Sequence, residues 1–305
     1  MAAIPVTAVV ALFVFLLLHL GPSDPATLIA GDYATPDAIQ RIREKLGLNL
    51  PLYEQFFRWA GNLLRGDLGV SIYSNVPVRT LIAQSAGPTL ALALATLSFS
   101  VACAVPMGII AAYKVNTWVD RAVMVFAVAA FSFPVFVIGY LVVLGFSLKL
   151  RILPAQGFQS LAEGLWPFVR HLILPVATIG STYVALIARI TRASMLEVLH
   201  EDYVRTARAK GLSAMVVLVR HATRAAAVPI VTVIGVGFAL LIAGVVVTET
   251  VFVIPGLGRL TADAILRRDY PVIQGLILLF SLSYVLVNLV VDLLYTVLDP
   301  RIRYG

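Results

Sequence analysis

Glu201-Asp202-Tyr203-Val204-Arg205-Thr206-Ala207-Arg208-Ala209-Lys210-Gly211 is a charged, helix-forming segment standing between long apolar runs. It is the centre of a polar island, Ser194 to Pro229, that also holds Arg220, His221 and Arg224. The island decides the fold by contrast with its surroundings. The chain is 60% hydrophobic and 13% charged, whereas a soluble domain is about half apolar and about a quarter charged. Its mean hydropathy is +0.94. The runs on either side are therefore bilayer crossings of roughly 20 residues each, and the island is what leaves the bilayer between two of them. The reading is an all-α integral membrane protein with about six transmembrane helices.

Outward from the island, the fourth span covers about His171 to Ile190 and the fifth about Val228 to Val247. The fifth carries Gly235, Ala239 and Ala243 at four-residue spacing, a stripe that lets another helix approach closely. A loop from Pro255 to Tyr270 leads to the sixth span, Pro271 to Leu298. In the other direction, an outer loop from Lys149 to Arg170 precedes the fourth span, and the third, Ala122 to Leu148, has Ser132-Phe133-Pro134 at its middle. The second span runs from Pro88 to Tyr113. Before it, Thr35-Pro36-Asp37 followed by Ile39, Ile42, Leu46 and Gly47 predicts a short amphipathic helix. Pro51 opens a second one, and Gly66-Asp67-Leu68-Gly69 reads as a turn. The first span, Ile4 to Leu20, lies at the short limit for a crossing, which predicts a basic extension ahead of it. The domain reading is a first transmembrane helix over 1–22, an extracytoplasmic segment over 23–84, and a five-helix core over 85–305 that contains a loop at 194–228.

Charge assigns the sides. The formal charge of +7 suggests nucleic acid only at first sight, because the basic residues sit in short loops and build no aromatic-interleaved basic face. Lys114, Arg121, Arg189, Arg192, Arg301 and Arg303 join the island's bases on one face; Lys149, Arg151, Arg170, Arg259, Arg267 and Arg268 lie on the other. The positive-inside rule places the richer face, the island and both termini in the cytoplasm. The single cysteine, Cys103, lies within an apolar run and excludes a disulfide framework or a Cys-based metal site.

Within the island, Ser194 with Glu197 three residues on is a capping-box pattern, from which the fourth span is expected to run into a cytoplasmic helix. Glu201 and Asp202 lead a turn or two ending in Arg205, Arg208 and Lys210, and Gly211 follows as an αL cap. That is a short rigid peg. The chain has no G-x-x-x-x-G-K-[ST] phosphate loop, no His-Glu-x-x-His and no Gly-x-Ser-x-Gly elbow, which argues against an ATPase, a zinc protease and a serine hydrolase. It has neither a clear internal repeat nor a midplane acid, which argues against an ion-coupled secondary transporter.

The island resembles the cytoplasmic EAA coupling loop of permease subunits of bacterial ABC importers. Its wording is similar to the dipeptide, oligopeptide and nickel branch. The resemblance extends to Gly66-Asp67-Leu68-Gly69, Thr248-Glu249-Thr250-Val251-Phe252, Pro255-Gly256-Leu257-Gly258, Arg268-Asp269-Tyr270-Pro271 and Asp299-Pro300-Arg301. Arg205 stands where the general loop has glutamate, as is usual in the peptide branch. The resemblance implies a MetI-like type I importer fold in the bacterial inner membrane. It also implies a related second permease subunit in a heterodimer, two cytoplasmic ATPases that use the ATP, and an extracytoplasmic substrate-binding protein. No cofactor and no metal would be bound by this chain. The cargo it implies is a small peptide, with glutathione or a nickel complex as alternatives. Glu201, Asp202, Tyr203, Arg205, Thr206, Ala207, Arg208, Lys210 and Gly211 would then enter an ATPase cleft, Tyr203 and Ala207 by apolar contact and the bases against acidic rims.

For the substrate path the residues offer less. Ser132 and Phe133 at the proline break, Tyr183 in the fourth span and Glu249 near the outer end of the fifth are the candidates, since polar or ionisable groups in a span are functional by default. Glu249 has two readings: a gate that attracts a peptide amine, or a structural partner for an outer-loop arginine such as Arg259.

Overall fold

The structure, a computed structural model, describes residues 3–20, 26–27 and 35–298. Apart from one isolated bridge between Val70 and Pro77, the regular structure of these residues is helical. The Asp299-Pro300-Arg301 motif lies outside them. The chain divides into two compact units, Met1–Gly87 with Leu260–Val285, and Pro88–Arg259 with Leu286–Gly305.

In the first unit, α1 is Ala3–Leu20, α2 Pro36–Leu46 and α3 Leu52–Leu64. The two amphipathic helices form where their signals stand. Ile39 N–H reaches Thr35 O at 3.1 Å, and Gly47 closes α2 at φ +70°. The apolar side of α3 meets α1 through Phe56 and Trp59, whose rings lie 5.3 and 5.7 Å from Phe15. The glycine turn also forms: Gly66 and Gly69 both have positive φ, and Gly69 N–H donates to Asp67 Oδ1 at 2.9 Å. It is tied to Asp269, which accepts from Ser71 Oγ at 2.5 Å and from Ile72 N–H at 3.1 Å.

The membrane helices are longer or more broken than their hydropathy suggests. α4, Val78–Tyr113, begins ten residues before Pro88 and carries both Pro88 and Pro106 inside it. Proline is tolerated there because neighbouring groups can satisfy the freed carbonyl. α5, Trp118–Ser132, and α6, Val135–Lys149, are one apolar run broken at Phe133-Pro134 and bent by 100°. α7, Leu165–Leu199, is unbroken over 35 residues, about 52 Å at 1.5 Å per residue and well beyond the bilayer core. After the short α8, Asp202–Ala209, α9 is Ala214–Ala225, with a π-helical centre at Val217–Ala222. It meets α10, Ala227–Gly244, at a 62° bend. Pro229 falls in the first turn of α10, where a missing N–H costs nothing. Then come α11, Val246–Val251, α12, Leu257–Leu266, and α13, Tyr270–Leu298. By length and composition α4, α7 and α13 can each cross a membrane, and each bent pair counts as one further span; α1 carries a shorter apolar stretch.

The fourth span runs on past Ile190 as one helix to Leu199, and Ser194 is no cap in it: it is buried inside α7, next to Met195, which packs against Ala112, Leu218 and Ala222. One expectation is corrected. The stretch from Pro255 to Tyr270 is not simply a loop, because Leu257–Leu266 is helical. The small-residue stripe of α10 does serve packing. Gly235 lies directly under Val291 of α13 with no room for a Cβ, and Ala239 is buried. The core of the second unit is built on α7, whose Leu172, Leu174, Val176 and Ile179 meet Leu92, Leu241, Phe252 and Ile254.

Candidate functional site

The island folds as a stem, a peg and a return. α7 is the stem. At its end His200 and Glu201 turn the chain, and Asp202–Ala209 forms the peg, α8. An eight-residue helix has no stability of its own, so its existence depends on what it packs against. Val204 and Ala207, three residues apart, are buried against Val217 of α9, with Val198 and Leu199 of the stem beside them. Its other residues are exposed.

This corrects one placement. Ala207 was expected on the partner-facing side with Tyr203; it is only 8% exposed and faces its own chain. Tyr203 is exposed. Its partial burial, and next the charge of Glu201, push the phenol above its ordinary range, so it presents a neutral hydroxyl. Asp202, Arg205, Thr206, Arg208 and Lys210 complete the exposed face with Glu201. Arg205 lies 3.4 Å from Asp202 with both side chains in the open, a pair worth well under ~1 kcal/mol. The charges are therefore free to be claimed by another surface.

Gly211 ends the peg in the left-handed conformation, φ +81°. Its N–H reaches Arg208 O at 2.9 Å, and Leu212 N–H reaches Ala207 O at 3.4 Å, the paired bonds of a Schellman cap. A Cβ at this position would meet open space, so the constraint is conformational and not steric. Gly211→Val should cost about 1–2 kcal/mol of local stability. Hydrogen exchange at the Gly211 and Leu212 amides should accelerate accordingly, while exchange in α7 stays unchanged.

A cavity of about 490 Å³ opens in the second unit. Its walls are Phe131 of α5, Val135 and Phe136 of α6, Thr182, Tyr183 and Leu186 of α7, and Leu240 and Leu241 of α10, with Thr248 of α11 at one side. Gly237 leaves space for the Tyr183 ring, which stands 3.0 Å from where its Cβ would be. Of the path candidates, Tyr183 lines this chamber. Ser132 instead donates back to Val128 O at 2.9 Å, and Phe133 is the exposed, extended residue at the break. The neighbours Phe131 and Phe136 supply the wall. Phe131 and Phe136, on either side of Pro134, were not among the candidates, although their spacing around the proline was the available signal for the chamber wall.

Glu249 lies next to Thr248 but is fully buried. It accepts from Thr89 Oγ1 at 2.6 Å, from Arg259 N–H at 2.9 Å and from Gly258 N–H. Leu257 N–H donates to Thr89 Oγ1 at 2.7 Å. The unbonded N–H groups that open α12 are thus claimed by a threonine from α4 and a carboxylate from α11, and the helix dipole favours the negative charge. A Cβ on Gly256 would fall on the carboxylate, and one on Gly258 would meet the Val246 backbone at 2.7 Å. This accounts for Pro255-Gly256-Leu257-Gly258 following Thr248-Glu249. The contact with Arg259 is to its backbone and not to its guanidinium.

Comparison with known proteins agrees with this architecture. The family described as binding-protein-dependent transport system inner membrane component matches residues 104–304, and its N-terminal counterpart matches residues 1–93. The chain is 52% identical over 303 residues to a probable peptide ABC transporter permease protein, y4tP, of Sinorhizobium fredii (strain NBRC 101917 / NGR234), covering 99% of this chain and 97% of that one. It is 46% identical over 301 residues to the glutathione transport system permease protein GsiC of Escherichia coli (strain K12), covering 99% and 96%. A solved structure of the MetNI methionine ABC transporter in an inward-facing conformation shares the fold, with a TM-score of 0.58 at 15% identity over 72% of this chain and 97% of that one. With family models matching most of the chain and permeases of ABC transporters 46–52% identical over 99% of it, the chain belongs to the family of binding-protein-dependent transport system inner membrane components, the permease subunits of ABC transporters.

Proposed function

We propose that this permease subunit passes a small peptide across the inner membrane by alternating access, driven by partner ATPases that grip the peg Asp202–Ala209. The observation that carries the reading is the peg itself: anchored on one side by Val204 and Ala207, and exposing tyrosine and unclaimed charges on the other. Basic residues concentrated on the peg's face support a cytoplasmic side for it and for both termini. A second, related permease subunit completes the path as a heterodimer. Two ATPases and an external binding protein complete the importer, and ATP is held by those partners with no cofactor in this chain.

The chamber beside Tyr183 is this subunit's share of the path, and Thr182, Tyr183 and Thr248 offer hydroxyls in an otherwise apolar wall. Such a lining suits the amide backbone of a passing peptide with mixed side chains, since pockets of this kind orient a ligand with few polar groups. Glutathione, itself a tripeptide, is the second reading, favoured by the likeness to GsiC.

Proteoliposomes holding the complete importer, loaded with ATP and offered labelled dipeptide, pentapeptide or glutathione with the binding protein, test the proposal. Uptake of a peptide should require ATP and the binding protein. Uptake driven by an ion gradient alone would overturn it. Leu240→Trp, which narrows the chamber, should reduce uptake severalfold while leaving ATP hydrolysis responsive to the binding protein; unaltered uptake would remove the chamber from the path.

A further inference from the structure

Much of the apolar contact between α5 and α7 is made by small side chains, with Ala127 and Ala130 of α5 against Ala185 of α7, and Val123 of α5 packs beside Val184, Ile187 and Ala188. Alanine faces pack closely but interlock weakly, so polar contacts carry much of the register along the helix axes. One of these is a forked ion pair. Arg192 donates through Nε and Nη2 to the two oxygens of Asp120, at 2.5 and 2.7 Å. The fork-to-fork geometry fixes orientation as well as distance. Asp120 is only 4% exposed and also accepts Asn116 N–H at 3.0 Å, so its carboxylate is held by its own turn before it meets the arginine. Removing two charges from water largely cancels what their attraction contributes, and the best-attested use of such a pair is to set register.

The position of the pair matters. Arg192 stands on α7 between the chamber and the peg. Towards the chamber, Arg189 on the same helix lies over the Phe131 ring at 5.6 Å, and Phe131 is a chamber wall. Towards the peg, the stem continues unbroken to Leu199, which packs beside Val204 and Ala207. At its far end α5 stops at Phe133-Pro134, where the 100° bend separates it from α6. α5 is thus held to the stem by the ion pair at its start and by the Arg189–Phe131 contact near the joint.

We infer that Asp120 and Arg192 are positioning residues for transport: they clasp α5 to the stem of the coupling peg, so that displacement of the peg carries α5 and the Phe131 wall with it. The inference rests on the coupling reading of Asp202–Ala209. With the clasp open, α7 holds α5 only through its apolar packing and the Arg189–Phe131 contact, so the stem shifts against α5 more easily and ATP hydrolysis moves the wall less.

The test is the ratio of peptide imported to ATP hydrolysed, measured on the assembled importer in proteoliposomes. Asp120→Asn and Arg192→Gln should each lower this ratio by about fivefold or more, within the range by which residues on a coupling route alter it. ATPase subunits should still copurify in stoichiometric amount. The exchanged pair Asp120→Arg with Arg192→Asp should recover most of the ratio. Arg192→Lys, which keeps the charge but loses the fork, should be intermediate, and it serves as the readout if the neutral variants fail to accumulate. A purely structural role would lower the yield and thermal stability of the complex but leave the ratio of what assembles unchanged, and that result overturns the inference. Val204→Asp in the peg is run alongside. If it leaves the ratio intact, the coupling reading itself fails; if it lowers the ratio while the Asp120 and Arg192 variants do not, the clasp alone fails.

Discussion

Replacing Glu249 with alanine is expected to destabilise the permease by about 3 kcal/mol or more, because it strands the Thr89 hydroxyl and the Gly258 and Arg259 N–H groups in a buried site. The loss exceeds that of an ordinary surface change because both Thr89 and Glu249 are fully buried, so the groups that lose their acceptor lie away from the surface. α12 would lose the anion at its N-terminus together with its link to α4. The purified subunit should unfold at a clearly lower temperature in detergent. Glu249→Gln retains one oxygen for the Gly258 and Arg259 N–H groups and keeps the shape of the side chain that fills the site. It should therefore recover most of the stability and support uptake. If the charge serves the path instead, the pattern reverses: Glu249→Gln keeps its melting temperature and loses uptake. Gly256→Val should behave like the alanine variant, since its side chain would occupy the carboxylate's place.

The second large effect is expected from Val204→Asp. Val204 is fully buried, and with Ala207 and Val217 it makes up the small cluster that holds the peg. Burial of a valine side chain contributes about 1.5–3 kcal/mol, a large share of what can stabilise an eight-residue helix that does not form alone. An aspartate there must reach water, and it can do so only by lifting the peg from α9. Peptide uptake should fall to background, and the binding protein should no longer stimulate ATP hydrolysis. Exchange protection across Asp202–Ala209 should disappear while that of α7 persists. Normal uptake by this variant would show that the peg is not where work enters.

The two predictions lie on opposite sides of what was legible beforehand. The peg was legible because its signals are local. Acids lead, bases follow, and Gly211 supplies the left-handed residue that two backbone bonds require, all within eleven consecutive positions. The amphipathic helices over Pro36–Leu46 and Leu52–Leu64 were readable for the same reason. The capping-box pattern at Ser194 pointed to helix beyond the span, which α7 continues to Leu199, but not to its continuity, because capping competes with burial. Ser194 lies inside α7, beside Met195, which packs against Leu218 and Ala222. The inward turn of Ala207 was hidden likewise, since an eight-residue amphipathic segment shows which residues share a face but not which face finds a partner.

What the sequence by itself determined is the class of molecule and the location of its polar joint. A chain this apolar must be membrane-embedded helices, because in lipid the backbone has to satisfy its own hydrogen bonds within each segment. That requirement acts through neighbours along the chain and is written into composition and period. Only the tertiary structure decided the roles of Glu249 and Asp120, since Thr89 lies 160 residues from Glu249 and Arg192 lies 72 from Asp120. A carboxylate's role is set by the donors that reach it, and helix packing, with Gly256 and the alanine faces permitting close approach, brought those donors into range.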